Sequence, residues 1–473
     1  MPVNRRLIAL SGLTLAASTV FCVPRADAAN DAMVELLNVL KEQGTITPEA
    51  YEQLKGAAQA DDEQNTAGQS EIKQAAETLP KVDTKEKLEI STPDGAFKWR
   101  LGGRIHTDAA LYNNDTGSGD PTTLTSGADI RRARLALEAT LYRSWQLKLE
   151  YDFAGFSEVD EGLRDAYLRY LHTAGWPLGI TVGQFKEYLG LESITSSNDI
   201  SFVERALPSR TFNDIAGGSD GRRIGAGLNT YGNDLWTASA GVFGRNAAGD
   251  TGADEDEPDA SDPITFVGRL TLSPVHTENR AVHFGFAGSW LNPDDNDTVR
   301  FRQRPEARIG ADRLVDTGGL DAADVNRYGV EAAGVYGPFS LQGEYLRADL
   351  NPDVAGDPDL GFDGWYVMGS WLLTGESRGY VFEEARFKNP KPKGIVGKGG
   401  IGAWELLARY SSLDLSDESV DGGEEDNFTF GVNWYPTPNF KFMANYVRVL
   451  DIEGGDFDGA EPDAFLVRAQ AYW

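Results

Sequence analysis

"RRARLALEATLYRSWQLKLEYDF", residues 131–153, alternates. Leu135, Leu137, Ala139 and Leu141 fall on one side of an extended chain, with Arg132, Arg134 and Glu138 on the other. After "YRS" the scheme resumes: Trp145, Leu147, Leu149, Tyr151 and Phe153 alternate with Gln146, Lys148, Glu150 and Asp152. A period of two marks a strand whose faces meet different surroundings. The same period begins at Phe97 and returns in "AVHFGFAGSW", "GWYVMGSWLL", "GAWELLARY", "NFTFGVNWY", "NFKFMANYV" and "AFLVRAQAYW". A soluble sandwich uses shorter strands and turns its apolar face to a core. Strands of about ten to fourteen residues with aromatic ends suit an apolar face on lipid and a polar face on a wet lumen. Backbone within a bilayer must pair every N–H and C=O, so such strands close into a barrel. At roughly 20 to 25 residues per strand and connection, residues 97–473 hold about sixteen strands. The expected fold class is therefore all-β, a transmembrane antiparallel β-barrel.

The chain before Phe97 is of another kind. Arg5 and Arg6, an apolar run from Leu7 to Val23, and Ala26-x-Ala28 have the layout of an export signal over residues 1–28, and the run is too short for a retained anchor. The single cysteine, Cys22, leaves with it, so neither a disulfide scaffold nor a thiolate metal site is expected. In residues 29–96, Val34, Leu37 and Leu40 stand at helical spacing, Gly44 breaks the run, and Thr47, Pro48 and Glu49 restart it as N-cap, first helical position and first-turn acid. A helical hairpin follows, then a polar run that reads equally as a flexible spacer or a weak coiled coil.

A formal net charge of -29 raises the question of where the acids sit. They gather between the alternating segments, in "GDTGADEDEPDASD", "NPDDND", "NPDVAGDPDLGFD", "DLSDESVDGGEED" and "DIEGGDFDGAEPD". Asp, Gly and Pro favour turns, so these read as long extracellular loops, and none has the ligand spacing of an EF-hand. The bases sit elsewhere. Arg104, Arg132, Arg134, Arg169, Arg269, Arg409 and Arg468 take the polar phase, and Arg300, Arg302 and Arg304 recur at period two. Guanidinium groups strung along a lumen draw anions in and pass them between sites, and their fork suits phosphate. The competing expectation is that each arginine pairs with a lumen acid such as Asp108, Glu138, Asp152 or Asp165 and only braces the wall. Arg131 has the phase of the leucines, which places it beyond the lipid band at the strand's end, bending toward water or the pore. Residues 186–218, "KEYLGLESITSSNDISFVERALPSRTFNDIAGG", break the alternation; partly apolar and carrying Arg205 and Arg210, they are expected to fold into the barrel and narrow it.

Taken together, "FKWRLGGR", "RRARLALEATLYRSWQLKLEYDF", "GLESITSS" with "ERALPSRTFNDIA", "GEYLRA", "LLTGESRGY", "GAWELLARYSSLDL", "GVNWYP" and "ANYV" resemble, in order, the phosphate-selective porins of O/P type. The last strand, ending in Trp473, is similar to the C-terminal recognition signal of bacterial outer-membrane proteins, with tryptophan for the usual phenylalanine. The resemblance implies a trimeric sixteen-stranded outer-membrane channel whose arginine ladder leads phosphate to a constriction built partly by the third loop. It implies that Arg104, Arg131, Arg132, Arg205 and Arg269 occupy ladder or pore positions and that Asp165 is the acid near the constriction. Phosphate-specific members carry lysines where this chain has Ser193 and Asn198, and losing two ammonium groups from a narrow site weakens anion binding there.

Three functions follow as expectations. The first is passive diffusion of small anions, phosphate above all, by a homotrimer in outer-membrane lipid; its close alternative is a general or differently selective porin. Neither needs a cofactor, a metal or a nucleic-acid partner. The second is an outer-membrane hydrolase, for which the histidines available are His106, His172, His276 and His283, none in a nucleophile motif. The third is a tether acting through the N-terminal helices.

Overall fold

The computed structural model describes residues 26–84, 88–113, 124–154, 162–172, 176–216, 220–247, 263–293, 298–354 and 356–473. Nearly all of the expected export signal, the acidic stretch 249–262 and most of "NPDDND" lie outside the described residues. The chain forms two compact units, residues 1–79 and 80–473.

The first unit is the helical hairpin. Helix α1, Ala26–Glu42, ends before Gly44, whose φ of 68° makes the turn, and α2, Pro48–Thr78, opens under Thr47, whose hydroxyl accepts from Ala50 N at 3.2 Å. Leu37 and Tyr51 are its buried pair, and the Tyr51 hydroxyl donates to Asn38 at 2.5 Å. The polar run after Asp61 continues as helix to Thr78, as its Ala, Gln, Glu and Lys content favours.

The second unit is a closed antiparallel barrel of sixteen strands. They are β1 (Lys98–Asn113), β2 (Gly127–Leu141), β3 (Trp145–Asp152), β4 (Gly162–His172), β5 (Leu178–Lys186), β6 (Arg222–Gly232), β7 (Trp236–Phe243) and β8 (Ile264–Thr277). The remainder are β9 (Arg280–Asn292), β10 (Ala322–Tyr336), β11 (Phe339–Pro352), β12 (Leu360–Leu372), β13 (Ala403–Asp417), β14 (Val420–Thr437), β15 (Phe440–Glu453) and β16 (Asp463–Tyr472). Each pairs with the next, and β16 closes on β1 from Asp463 opposite Asn113 to Tyr472 opposite Arg104. Below that point Leu88–Ser91, within the stretch expected to be spacer, takes over as partner of β1. Trp473 exchanges backbone bonds of 3.1 Å with Gly103, where a side chain would collide with the indole.

The alternating residues part as expected. Leu135, Leu137, Trp145, Leu147, Leu149, Phe284 and Phe286 are exposed outward, while Glu150, Asp152, His283 and Arg468 are buried inside. Outward aromatics stack across strands, as in Trp404–Trp434–Phe442 near one end and Trp365–Tyr410 near the other, which are the two girdles of a membrane barrel. Most connections at the Trp404 end are turns of two to three residues, such as 233–235 and 278–279, so that end is periplasmic. The exception is 373–402, a long connection with its own short hairpin, Gly379–Val381 with Arg386–Lys388.

Two expectations need correction. Arg131 is not past the strand's end. His106 faces Arg132 but Thr107 faces Ile130, so Arg131 is the extra residue of a β-bulge, and the bulge turns Arg131 and Arg132 both inward. "DLSDESVDGGEED" is not a long loop: β13 and β14 run through it and leave only residues 418–419 as the turn. Leu413 and Leu415 hold the hairpin extended by packing with Val315, Leu207 and Phe212 of inward-folded connections, part of the core cluster that also contains Phe301 and Phe362.

Candidate functional site

The described residues between β5 and β6, 187–216 and 220–221, form an inward segment that lies inside the barrel and is fastened to the far wall. Glu344 of β11 accepts from Leu191 N and Glu192 N, both at 2.7 Å, and Asn445 of β15 accepts from Val203 N at 2.7 Å. Lys441, Asn433, Arg327 and Arg409 donate to the carbonyls of Ile200, Ser201, Phe212 and Glu204 at 2.7 to 3.1 Å. Backbone without regular structure is tolerated at membrane depth when the protein satisfies it in this way. Leu191, Phe202, Ala206, Leu207 and Phe212 are fully buried beneath it, so the half of the lumen bounded by β10 to β16 is filled.

Most of the arginines packed against the segment face carboxylates. Arg131 Nε donates to Glu204 at 2.8 Å, and Arg468 grips Asp108 with bonds of 2.7 and 2.6 Å while touching Glu204 at 3.2 Å. Arg409 meets Glu306 at 2.5 Å. Arg205, on the segment itself, binds the Glu192 and Thr195 carbonyls and Asp220 within 3.0 Å, and Arg210 pairs with Asp214 at 2.7 Å. Arg132 differs: among the described residues its hydrogen-bond partner is His106 Nδ1, at 3.4 Å, with the Glu204 charge nearby. Burial pushes the Glu204 carboxyl up, but Arg131, Arg132 and Arg468 hold it well below the usual carboxylate range. These groups bind the segment to the wall, and removing one partner of such a buried pair costs about 3 to 5 kcal/mol.

A cavity of about 840 Å³ remains on the other side, against β1 to β8 and Ile194 to Asp199 of the segment. Among the described residues twelve lysines and arginines line it against seven side-chain carboxylates, with Glu150, Asp152 and Glu331 behind the arginines, so that bases remain in excess inside an acidic chain. Arg104 bonds to Glu150 and the Ser197 hydroxyl, each at 2.9 Å, and Arg134 to Asp152 at 2.6 Å and Glu150 at 3.1 Å. Arg222 meets Asp165 at 2.7 Å and Asp220 at 2.8 Å, and Lys148 meets Asp165 at 2.6 Å. Although burial opposes it, the charges of Lys186, Arg205, Arg222 and Arg164 hold the Asp220 carboxyl well below its ordinary value. The periplasmic connection 373–402 forms the chamber's floor and clasps the segment, with Arg386 on Asp199 at 3.4 Å and Asn389 bonded to Asp199 at 3.1 Å and to the Asn198 carbonyl at 2.6 Å.

The sequence-derived residues thus divide. Arg104, Arg134 and Arg269 line the chamber, Arg269 being paired with Glu331 at 2.8 Å. Arg131, Arg132 and Arg205 are buried at the segment's contacts with the wall and with itself. Arg300, Arg302 and Arg304 do not stand on the wall; they belong to the connection between β9 and β10. There Phe301 and Gln303 point into the protein, Arg300 pairs with Asp316 at 2.6 Å, and Arg304 donates to the Ala311 carbonyl at 2.9 Å. Asp165 is on β4 rather than on the inward segment, whereas Ser193, Asn198 and Arg210 are on it. Asn198 bonds to His106 Nε2 at 3.1 Å. Each lumen acid named from sequence has a basic partner, Glu138 through Arg100 at 2.9 Å. Lys148, Lys186, Arg222 and the braces Glu344 and Lys441 were not singled out from sequence. Lys148 and the double arginine at 222–223 were readable by phase; Lys186 was not, because Gly183, at φ 128°, breaks the alternation just before it.

The comparisons with known proteins agree with this architecture. Residues 100–473 match the family described as phosphate-selective porin O and P. Porin O of Pseudomonas aeruginosa is 29% identical over 423 residues, 82% of this chain and 91% of that one. A protein of Caulobacter vibrioides is 29% identical over 384 residues, 79% of this chain and 72% of its own. Among solved structures, the anion-selective porin from Comamonas acidovorans superposes with a TM-score of 0.51 at 13% identity, over 80% of this chain and all of that one, which is a likeness of fold. A sixteen-stranded barrel with a match across nearly all of its length is sufficient: the chain belongs to the phosphate-selective porins O and P, channels of the bacterial outer membrane.

Proposed function

We propose that the barrel conducts small inorganic anions, with phosphate the solute that its family points to, through the passage between the inward segment and strands β1 to β8. The observation that carries this reading is the chamber itself, where among the described lining residues bases outnumber carboxylates twelve to seven in a chain of net charge -29. A narrow lumen of one sign concentrates counter-ions and excludes the other sign. Reversal potentials in a chloride gradient across planar bilayers test it, and cation selectivity would sink it.

A second reading, a general or differently selective anion porin, is favoured by the pairing of most lumen arginines and by Ser193 and Asn198. Added phosphate separates the two: block of the chloride current supports a phosphate site, and no block leaves the general porin. Further parts of the proposal follow from the sequence and the family. Residues 1–28 are an export signal, residues 29–96 a periplasmic element, residues 186–218 the constriction, and the assembly a homotrimer in outer-membrane lipid. No catalytic role is assigned. Deleting residues 29–90 while measuring trimer stability and conductance separately tells a tether from a channel part.

A further inference from the structure

Lys186 differs from the bases that stand nearest the inward segment, and shares with Arg169 of β4 the lack of a carboxylate partner among the described residues. Arg104, Arg134, Lys148 and Arg222 each have a carboxylate within 3.1 Å, yet among the described residues Lys186 has none within ion-pair distance. Its Nζ donates instead to the backbone carbonyl of Ser193, and its side chain lines the chamber. The charged groups around it come from three elements: Arg205 and Asp220 of the inward segment, Arg222 of β6 and Asp165 of β4. Asp165 and Asp220 are already engaged, the first by Lys148 and Arg222, the second by Arg164, Arg205 and Arg222. An ammonium group flanked by two guanidinium groups, with its nearest acids committed, gains most from an anion arriving from the lumen.

Its position is as telling as its lack of a partner. The carbonyl it touches belongs to Ser193, so the ammonium group sits where the inward segment meets the wall of the chamber. We propose that Lys186, projecting from the end of β5 beside Ser193, supplies an ammonium group without a carboxylate partner to the passage, and so determines its affinity for a tetrahedral oxyanion. The inference rests on the anion-pore reading above. Standing at the end of a wall strand, the group is fixed in place by the strand rather than by a loop.

The test uses the full-length porin in planar bilayers, with inorganic phosphate as the probe blocking chloride current. Lys186→Gln should raise the half-blocking phosphate concentration about tenfold, as expected for losing one charge-assisted hydrogen bond. Lys186→Arg should keep block near the wild-type level. Because Lys186→Gln also removes the donor to Ser193, Lys186→Cys is modified in the folded channel, whose sole native cysteine is Cys22. A thiol reagent carrying an ammonium group should restore block, and one carrying a sulfonate should abolish it. Equal block in wild type and Lys186→Gln, no response of Lys186→Cys to either reagent, or an anion-selective wild type without phosphate block would each overturn the assignment. A cation-selective wild type would instead overturn the anion-pore reading itself.

Discussion

The two halves of the lumen use the same residue types for different ends. Where the inward segment is packed against the wall, at β10 to β16 and the adjoining ends of β1 and β2, buried Arg131, Arg409 and Arg468 are matched to Glu204, Glu306 and Asp108, and the result is a fastened loop. On the β1 to β8 side, Arg104, Arg134, Lys148 and Arg222 are paired as well, but they border an open chamber with bases in excess. Arginine content alone therefore does not trace an ion path. What matters is whether the guanidinium faces packed protein or water.

The largest expected effect lies in the fastened half. Arg468→Gln strips Asp108 of its bidentate partner and Glu204 of a second donor, and should cost about 3 to 5 kcal/mol. Heat-dependent gel mobility of the folded barrel checks this, and a variant as heat-stable as wild type would erase the distinction between the halves. Next comes Arg104→Gln on the open side, where Glu150 keeps Arg134 at 3.1 Å. It should cost only about 1 kcal/mol, yet lower the chloride-to-potassium permeability ratio severalfold. A smaller change of opposite sign is expected for Asp165→Asn, which releases Lys148 and Arg222; reversal potentials should move further toward chloride, and movement toward potassium would show that Asp165 only positions those bases.

Acidification should do least. Glu204 and Asp220 both titrate in the folded chain below their ordinary values, so the stability they contribute is present above those values and is lost only as pH falls through the depressed ones. Conductance and open-channel noise should thus hold steady from neutral pH down to about 5, with the inward segment loosening only well below pH 3.8, the ordinary aspartate value. Loosening near pH 5 would show that these carboxylates are not held by the arginines described.

The barrel was legible because lipid and water impose a period of two on every strand, and even the terminal Trp473 announced itself by phase. Irregularity is where phase reasoning failed. One inserted residue turned Arg131 inward, against its alternation, and the positive φ of Gly183 hid the direction of Lys186. Arg300, Arg302 and Arg304 do share a side, but that alternation belongs to a short loop ladder rather than to the wall. The pairing of particular arginines with particular acids, such as Arg131 with Glu204 across 73 residues, depends on the path of the inward segment, which no local pattern encodes.

The Asp108–Arg468 pair joins the first strand to the last across a separation of 360 residues. It also holds Glu204, and through it the inward segment. Closing the ring and completing the contacts of Glu204 are therefore coupled, late in folding, because the contact with the longest loop to close waits for the last strand. An unfinished barrel offers Glu204 Arg131 but not Arg468, so this anchor of the inward segment is complete only when the last strand joins the first.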